Sequence, residues 1–213
     1  MKKSYLLLAL PLLAGAVAAD AAGPAPVQFR LGAQGGVTAG GNVGSSAGVW
    51  GLQGEYDFTS NFGLQASFAT FNETKNWAGQ PRFKQSTSSL GFSLVGRLPV
   101  TDQFGLYGLA GFDYNMIDAD NSVSVAVPVS AAYPTGGTAR ATLKADSGWG
   151  EHLGLGFNYR IVNNWEVFTE YRYTFFNQKG RVNLTMPNGS VTSTKVSGNN
   201  DFGTIMLGVN YTF

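Results

Sequence analysis

Eight stretches of this 213-residue chain alternate apolar and polar residues with a period of two, and no Asp, Glu, Lys or Arg falls on the apolar face of any of them. They cover residues 27–33, 50–58, 62–68, 90–98, 104–114, 153–161, 165–173 and 203–213. A period of two puts successive side chains on opposite sides of an extended backbone, so each stretch reads as a β-strand. A helical bundle or coiled coil is excluded on the same ground. Composition agrees, with 29 glycines and only 13% charged residues, whereas long helices need Ala, Leu, Glu and Lys in quantity.

The connections alternate too. Residues 59–61, 99–103 and 162–164 are short and carry turn chemistry. The other four, 35–47, 71–86, 117–147 and 177–200, are long. Short and long loops in strict alternation between antiparallel strands predict an all-β fold, an eight-stranded antiparallel up-and-down transmembrane β-barrel. An even strand count brings both termini to the short-turn side, which predicts N- and C-termini in the periplasm.

Which face meets lipid follows from size and charge. The apolar face is crowded with aromatic rings, too bulky for a lumen that eight strands leave just wide enough for ordinary side chains. The other face is built of Gly, Ser, Gln and Asn with almost no Lys, which makes a poor water-facing surface. A charge facing lipid at the bilayer midplane costs about 2–4 kcal/mol, so the missing charges read as a physical filter. The aromatics also collect at strand ends. Phe58, Phe62, Phe104, Tyr159 and Trp165 fall near the short turns. Trp50, Phe112, Tyr114, Tyr171 and Tyr173 fall near the long loops. Two such girdles match the two interfaces of a bilayer.

Residues 1–22 read as a cleaved signal peptide, leaving 23–213 as the barrel. Met1-Lys2-Lys3 is basic, 6–19 is apolar, and small residues follow at a cleavage pattern. A net charge of +1 predicts no nucleic-acid partner. The lack of cysteine excludes disulfides, thiolate chemistry and Cys-based zinc sites. The single histidine, His152, argues against a metal centre. No cofactor is expected.

On these residues the chain resembles the small eight-stranded outer-membrane barrels: the membrane domain of OmpA, OmpX and the opacity-type proteins, the group also called porin-family outer-membrane proteins. The sharpest likeness is the alternating C-terminal run that ends Val209, Tyr211, Phe213. It looks like the signal by which the barrel-assembly machinery takes up the last strand, an open edge suited to β-augmentation. OmpA proper carries a second, peptidoglycan-binding domain after its barrel. This chain stops at Phe213, so no wall-tethering role through such a domain is expected. The resemblance also implies a lumen filled by paired charges.

The inward faces supply those charges: Arg30, Glu55, Asp57, Arg97, Asp113, Arg160, Glu166, Glu170 and Arg172. Pairing across the Asn163 turn sets Arg160 opposite Glu166. Two readings follow, a salt-bridged plug, because buried charges need partners, or a gated ion path. His152 reads as a hydrogen-bonded lumen residue. Some barrels of this size are lipid A-modifying enzymes that use a His with a nearby Ser or Asp, but no serine is local to His152. Loops 117–147 and 177–200 hold alternating segments, the second around Pro187-Asn188-Gly189, a hairpin signal. Strands projecting beyond the membrane are expected there. The partners predicted are outer-membrane lipid, the assembly machinery, and an extracellular ligand or host surface at these loops. The expected role is structural or surface-interacting and not enzymatic: membrane integrity, adhesion or binding. A narrow channel for ions or small solutes is the alternative, and a lipid A-modifying enzyme a more distant one.

Overall fold

The computed structural model describes residues 27–41, 47–75, 83–119, 121–127 and 137–213. The expected signal peptide lies outside them. Twelve strands follow in chain order: β1 (Gln28–Gly41), β2 (Gly48–Asp57), β3 (Phe62–Lys75), β4 (Phe83–Pro99), β5 (Phe104–Asp118), β6 (Asn121–Val127), β7 (Gly137–Ala145), β8 (Gly148–Val162), β9 (Trp165–Phe175), β10 (Asn177–Thr185), β11 (Val191–Asn199) and β12 (Phe202–Thr212). Eight of them close a barrel in the order β1-β12-β9-β8-β5-β4-β3-β2, with every neighbouring pair antiparallel. Closure leaves no open sheet edge in the wall. Each alternating stretch of the sequence overlaps one of these eight strands.

The short turns are made the same way twice. Thr59 Oγ1 accepts the backbone N–H groups of Asn61 and Phe62, and Thr101 Oγ1 accepts those of Gln103 and Phe104. A threonine hydroxyl standing in for a backbone acceptor fixes the reversal and the register that follows it. The third turn carries Asn163 at φ 32°, a conformation that Asn tolerates better than most residues.

Two long connections are shorter than the sequence indicates. β1 continues to Gly41, so the expected loop 35–47 is largely strand. β3 and β4 stay paired from Phe62↔Gly96 out to Lys75↔Phe83, so the expected loop 71–86 shrinks to the stretch between those strands. The reason is chemical. Gly35, Gly36 and Gly40 give no contrast between faces, and outer β3 and β4 are mostly polar on both faces, Phe71 aside. The alternation fades while the backbone ladder goes on.

The last two loops do form strands, and they form one sheet. β6, β7, β10 and β11 pair in the order β11-β10-β7-β6. The joint is β7 with β10, from Gly180↔Ala145 to Thr185↔Arg140. Barrel strands β12, β9, β8 and β5 stand in the matching order, and one or two residues separate each from its partner in the sheet. The sheet therefore prolongs half of the barrel wall past the rim. The β10–β11 hairpin closes as the sequence indicates, with Gly189 at φ +82° and the Ser190 N–H on Asn188 Oδ1 at 3.0 Å.

The two faces sort as expected. Leu207 is 62% exposed on the outside of the wall and its neighbour Met206 only 2% exposed within. All ten girdle aromatics point outward and are exposed or half-buried. Trp165–Tyr211 and Tyr211–Phe213 stack edge to face at the short-turn end, and Tyr114 meets Trp149 at the other. Among the described residues of the barrel strands, two outward carboxylates, Glu151 and Asp118, lie beyond the alternating stretches, at the long-loop rim and exposed.

Candidate functional site

The lumen is filled by a polar ladder running from one mouth to the other. At the short-turn end Arg97 sits between two carboxylates, 2.5 Å from Glu55 Oε1 and 3.5 Å from Asp57 Oδ1. Arg30 holds the far side of Asp57 at 3.0 Å. These charges come from β1, β2 and β4, and Arg30↔Glu55 are direct cross-strand partners. Above them Arg172 pairs with Glu170 at 2.8 Å and donates to Ser67 Oγ at 2.9 Å and Gln65 Oε1 at 3.0 Å. Its fork geometry serves three partners at once. Gln65 passes the chain on to Gln53 and Gln53 to Asn210.

In the middle of the lumen two aromatic rings, Tyr107 and Phe168, fill the space the charges leave, and Phe71 and Phe202 pack together nearer the long-loop end. Tyr107 lies directly across from Gly156, and Phe168 across from Gly208. A Cβ on either glycine would run into the ring, so bare backbone is what lets the rings lie against the wall. Val95, Tyr107, Leu109 and Phe168 then form a buried apolar cluster. Tyr107 donates its hydroxyl to Glu170 Oε2 at 3.2 Å, and the Arg97 guanidinium stands 5.4 Å from its ring centre, within cation–π range.

Nearer the long-loop mouth His152 bridges Ser93 Oγ at 2.7 Å and Asp113 Oδ2 at 2.9 Å. Thr174 Oγ1 adds a bond to Asp113 at 3.0 Å. The sequence reading finds no serine near His152 because the partner is fifty-nine positions away. Register supplies it: Ser93 faces Gly111 on β5, and Gly111 faces His152 on β8. The glycine between them leaves a gap that the two side chains close. Ser, His and Asp in this order perform acyl transfer where the serine borders a substrate cleft. Here all three are buried, and Ser93 lines neither the cavity at the short-turn mouth nor the smaller one that His152 borders.

Eight of the nine charges expected in the lumen are buried there: Arg30, Glu55, Asp57, Arg97, Asp113, Glu166, Glu170 and Arg172. Arg160 is the exception. It is the cross-strand partner of Glu166, but the register slips between Arg160 and Val162, and the Arg160 side chain is exposed. Glu166 instead accepts from Asn158 at 2.6 Å and Asn210 at 3.4 Å. Arg160 borders a cavity of about 380 Å³ at the short-turn mouth, which Arg30 and Arg97 also line. Among the described residues no group of three or more His, Asp and Glu side chains is placed to hold a metal ion.

A family model for the outer membrane protein β-barrel domain matches residues 6–213. The chain belongs to this family. Its relatives include the 31 kDa outer-membrane immunogenic protein of Brucella melitensis, 30% identical over 191 residues, which cover 83% of this chain and 68% of that protein. Among solved structures, OprG of Pseudomonas aeruginosa aligns with 89% of this chain and 97% of its own at a TM-score of 0.64 and 17% identity. Neisserial surface protein A aligns with 90% of this chain and 100% of its own at a TM-score of 0.56 and 13% identity. Identities this low speak for the shared barrel alone. The outward apolar wall of this outer-membrane barrel thus faces lipid, and its buried charges fill the core of a membrane protein.

Proposed function

We propose that this outer-membrane barrel is a plugged scaffold whose task is to hold a rigid four-stranded sheet outside the cell, where it meets other molecules. One observation carries the reading: β7 pairs with β10, so two loops far apart in sequence become a single sheet in line with the wall. Separate mobile loops would leave these backbone groups to water, whereas a shared ladder fixes their shape. The short turns and both termini lie on the periplasmic side. The edges of β6 and β11 end the sheet and suit β-augmentation by an extracellular ligand or host surface. The alternation at Val209, Tyr211 and Phe213 is what the assembly machinery reads during insertion. The interlocked lumen speaks for a closed barrel over a narrow channel, and the enclosure of Ser93 speaks for a structural His152 over an enzymatic one.

The lack of cysteine makes the topology directly testable. In intact cells, Asn188→Cys is expected to react with a membrane-impermeant maleimide. Asp102→Cys, in a short turn, is expected to react only after the outer membrane is opened. The reverse pattern would overturn the display reading.

A further inference from the structure

The outward face of the projecting sheet carries cations in register. Lys195 on β11 is the direct partner of Arg181 on β10, and Arg181 is the direct partner of Lys144 on β7. Directly paired residues share a face and adjacent strands lie about 4.8 Å apart, so the three stand in one row about 10 Å wide. Lys179 and Arg140 share that face, two and four positions along their strands from the row. All five are exposed, and the ion pairs among the described residues involve none of them. Among the described residues the carboxylates on this wall, Asp146, Asp118, Glu151 and the half-buried Asp201, sit lower than the row, at the junction with the barrel. Like charges directly opposite one another weaken a sheet. An external anion would remove that cost.

The row continues the lipid-facing wall. Burial alternates without a break from Phe175 through Asn177 and Lys179 to Arg181, so the cations point sideways into whatever surrounds the barrel. Arg181 lies six residues past Phe175, roughly 20 Å along the strand, or about 15 Å in height at the usual tilt of such strands. That clears the headgroups of simple phospholipids, which add only about 5–8 Å to each side of the hydrocarbon core. It is a height that lipids with large carbohydrate headgroups reach.

We propose that Lys144, Arg181 and Lys195 form a binding site for phosphate groups on the carbohydrate-bearing lipids around the barrel. The site rests on the reading that the sheet projects from the outer face. It anchors the sheet laterally and leaves the strand edges free. Its span seats more than one phosphate, which favours a multiply phosphorylated saccharide headgroup over a single phosphate.

The test uses the full mature chain refolded in detergent, with native mass spectrometry to count bound lipid. The probe is lipopolysaccharide with a phosphorylated core saccharide, compared with the same lipopolysaccharide stripped of its core phosphates. The variant is K144Q/R181Q/K195Q, shown to be folded by its shift in gel mobility on boiling. Core-phosphorylated lipopolysaccharide is expected to bind the wild type, and the triple variant on the order of tenfold more weakly. Lipopolysaccharide without core phosphate is expected to show no difference between the two proteins. Equal retention by the triple variant would overturn the proposal, as would lipopolysaccharide that binds equally well without core phosphate. Row-dependent binding of a soluble sulfated polysaccharide, with lipopolysaccharide indifferent to the substitutions, would overturn it also. Surface labelling of Asn188→Cys is read separately. A labelled sheet that ignores lipopolysaccharide removes only this site, whereas an unlabelled one removes the display reading itself.

Discussion

Arg172→Met is expected to cost about 3–5 kcal/mol of folding stability, the usual result of stranding one member of a buried ion pair. Arg172 is 6% exposed and its partner Glu170 is fully buried. Removing the guanidinium leaves Glu170 with the Tyr107 hydroxyl as its one remaining side-chain donor, and takes the donor from Gln65 and Ser67 at the same stroke. The lost stability is read from urea unfolding in lipid vesicles. Glu170→Gln combined with Arg172→Met is expected to recover most of the loss, because the uncompensated charge is then gone. A single variant within about 1 kcal/mol of wild type would mean that water reaches Glu170 and that the middle of the lumen is open.

Leu207→Arg is expected to destabilise the folded barrel by about 2–4 kcal/mol. Leu207 stands midway along β12 and points outward, 62% exposed. In a water-soluble barrel an outward leucine is free to become arginine at little cost. In a lipid-facing wall the same change puts a charge near the bilayer midplane, so the sign and size of the effect report what the outer face touches. Refolding into vesicles separates the cases. A cost below about 1 kcal/mol would place position 207 at an interface or in water.

Legibility in the sequence followed where a strong physical filter acts. Lipid forbids charge on one face, so the eight barrel strands and the inward set of charges could be read from alternation alone. The filter weakens outside the membrane. There β1, β3 and β4 run on with mostly polar or glycine residues on both faces, and their outer ends were hidden for that reason. Features that depend on register were hidden more deeply. Ser93 and His152 meet only because Gly111 lies between them on the strand that separates theirs. Lys144, Arg181 and Lys195 align only through the β7–β10 pairing. Arg160 shows the opposite case. Turn pairing sets it opposite Glu166, but at the last residues of β8 its side chain is exposed and lines the mouth.

The filled lumen is the claim on which the scaffold reading stands, and ion conductance tests it most directly. Refolded protein, shown to be inserted by its changed mobility on boiling, is placed in a planar bilayer and the current is recorded over a range of salt concentrations. The interlock of Arg97 with Glu55 and Asp57, with Tyr107 and Phe168 above it, predicts a bilayer that stays silent. Steady current steps that scale with salt, from protein proven to be folded and inserted, would contradict a plugged barrel and make the buried charges the lining of a pore.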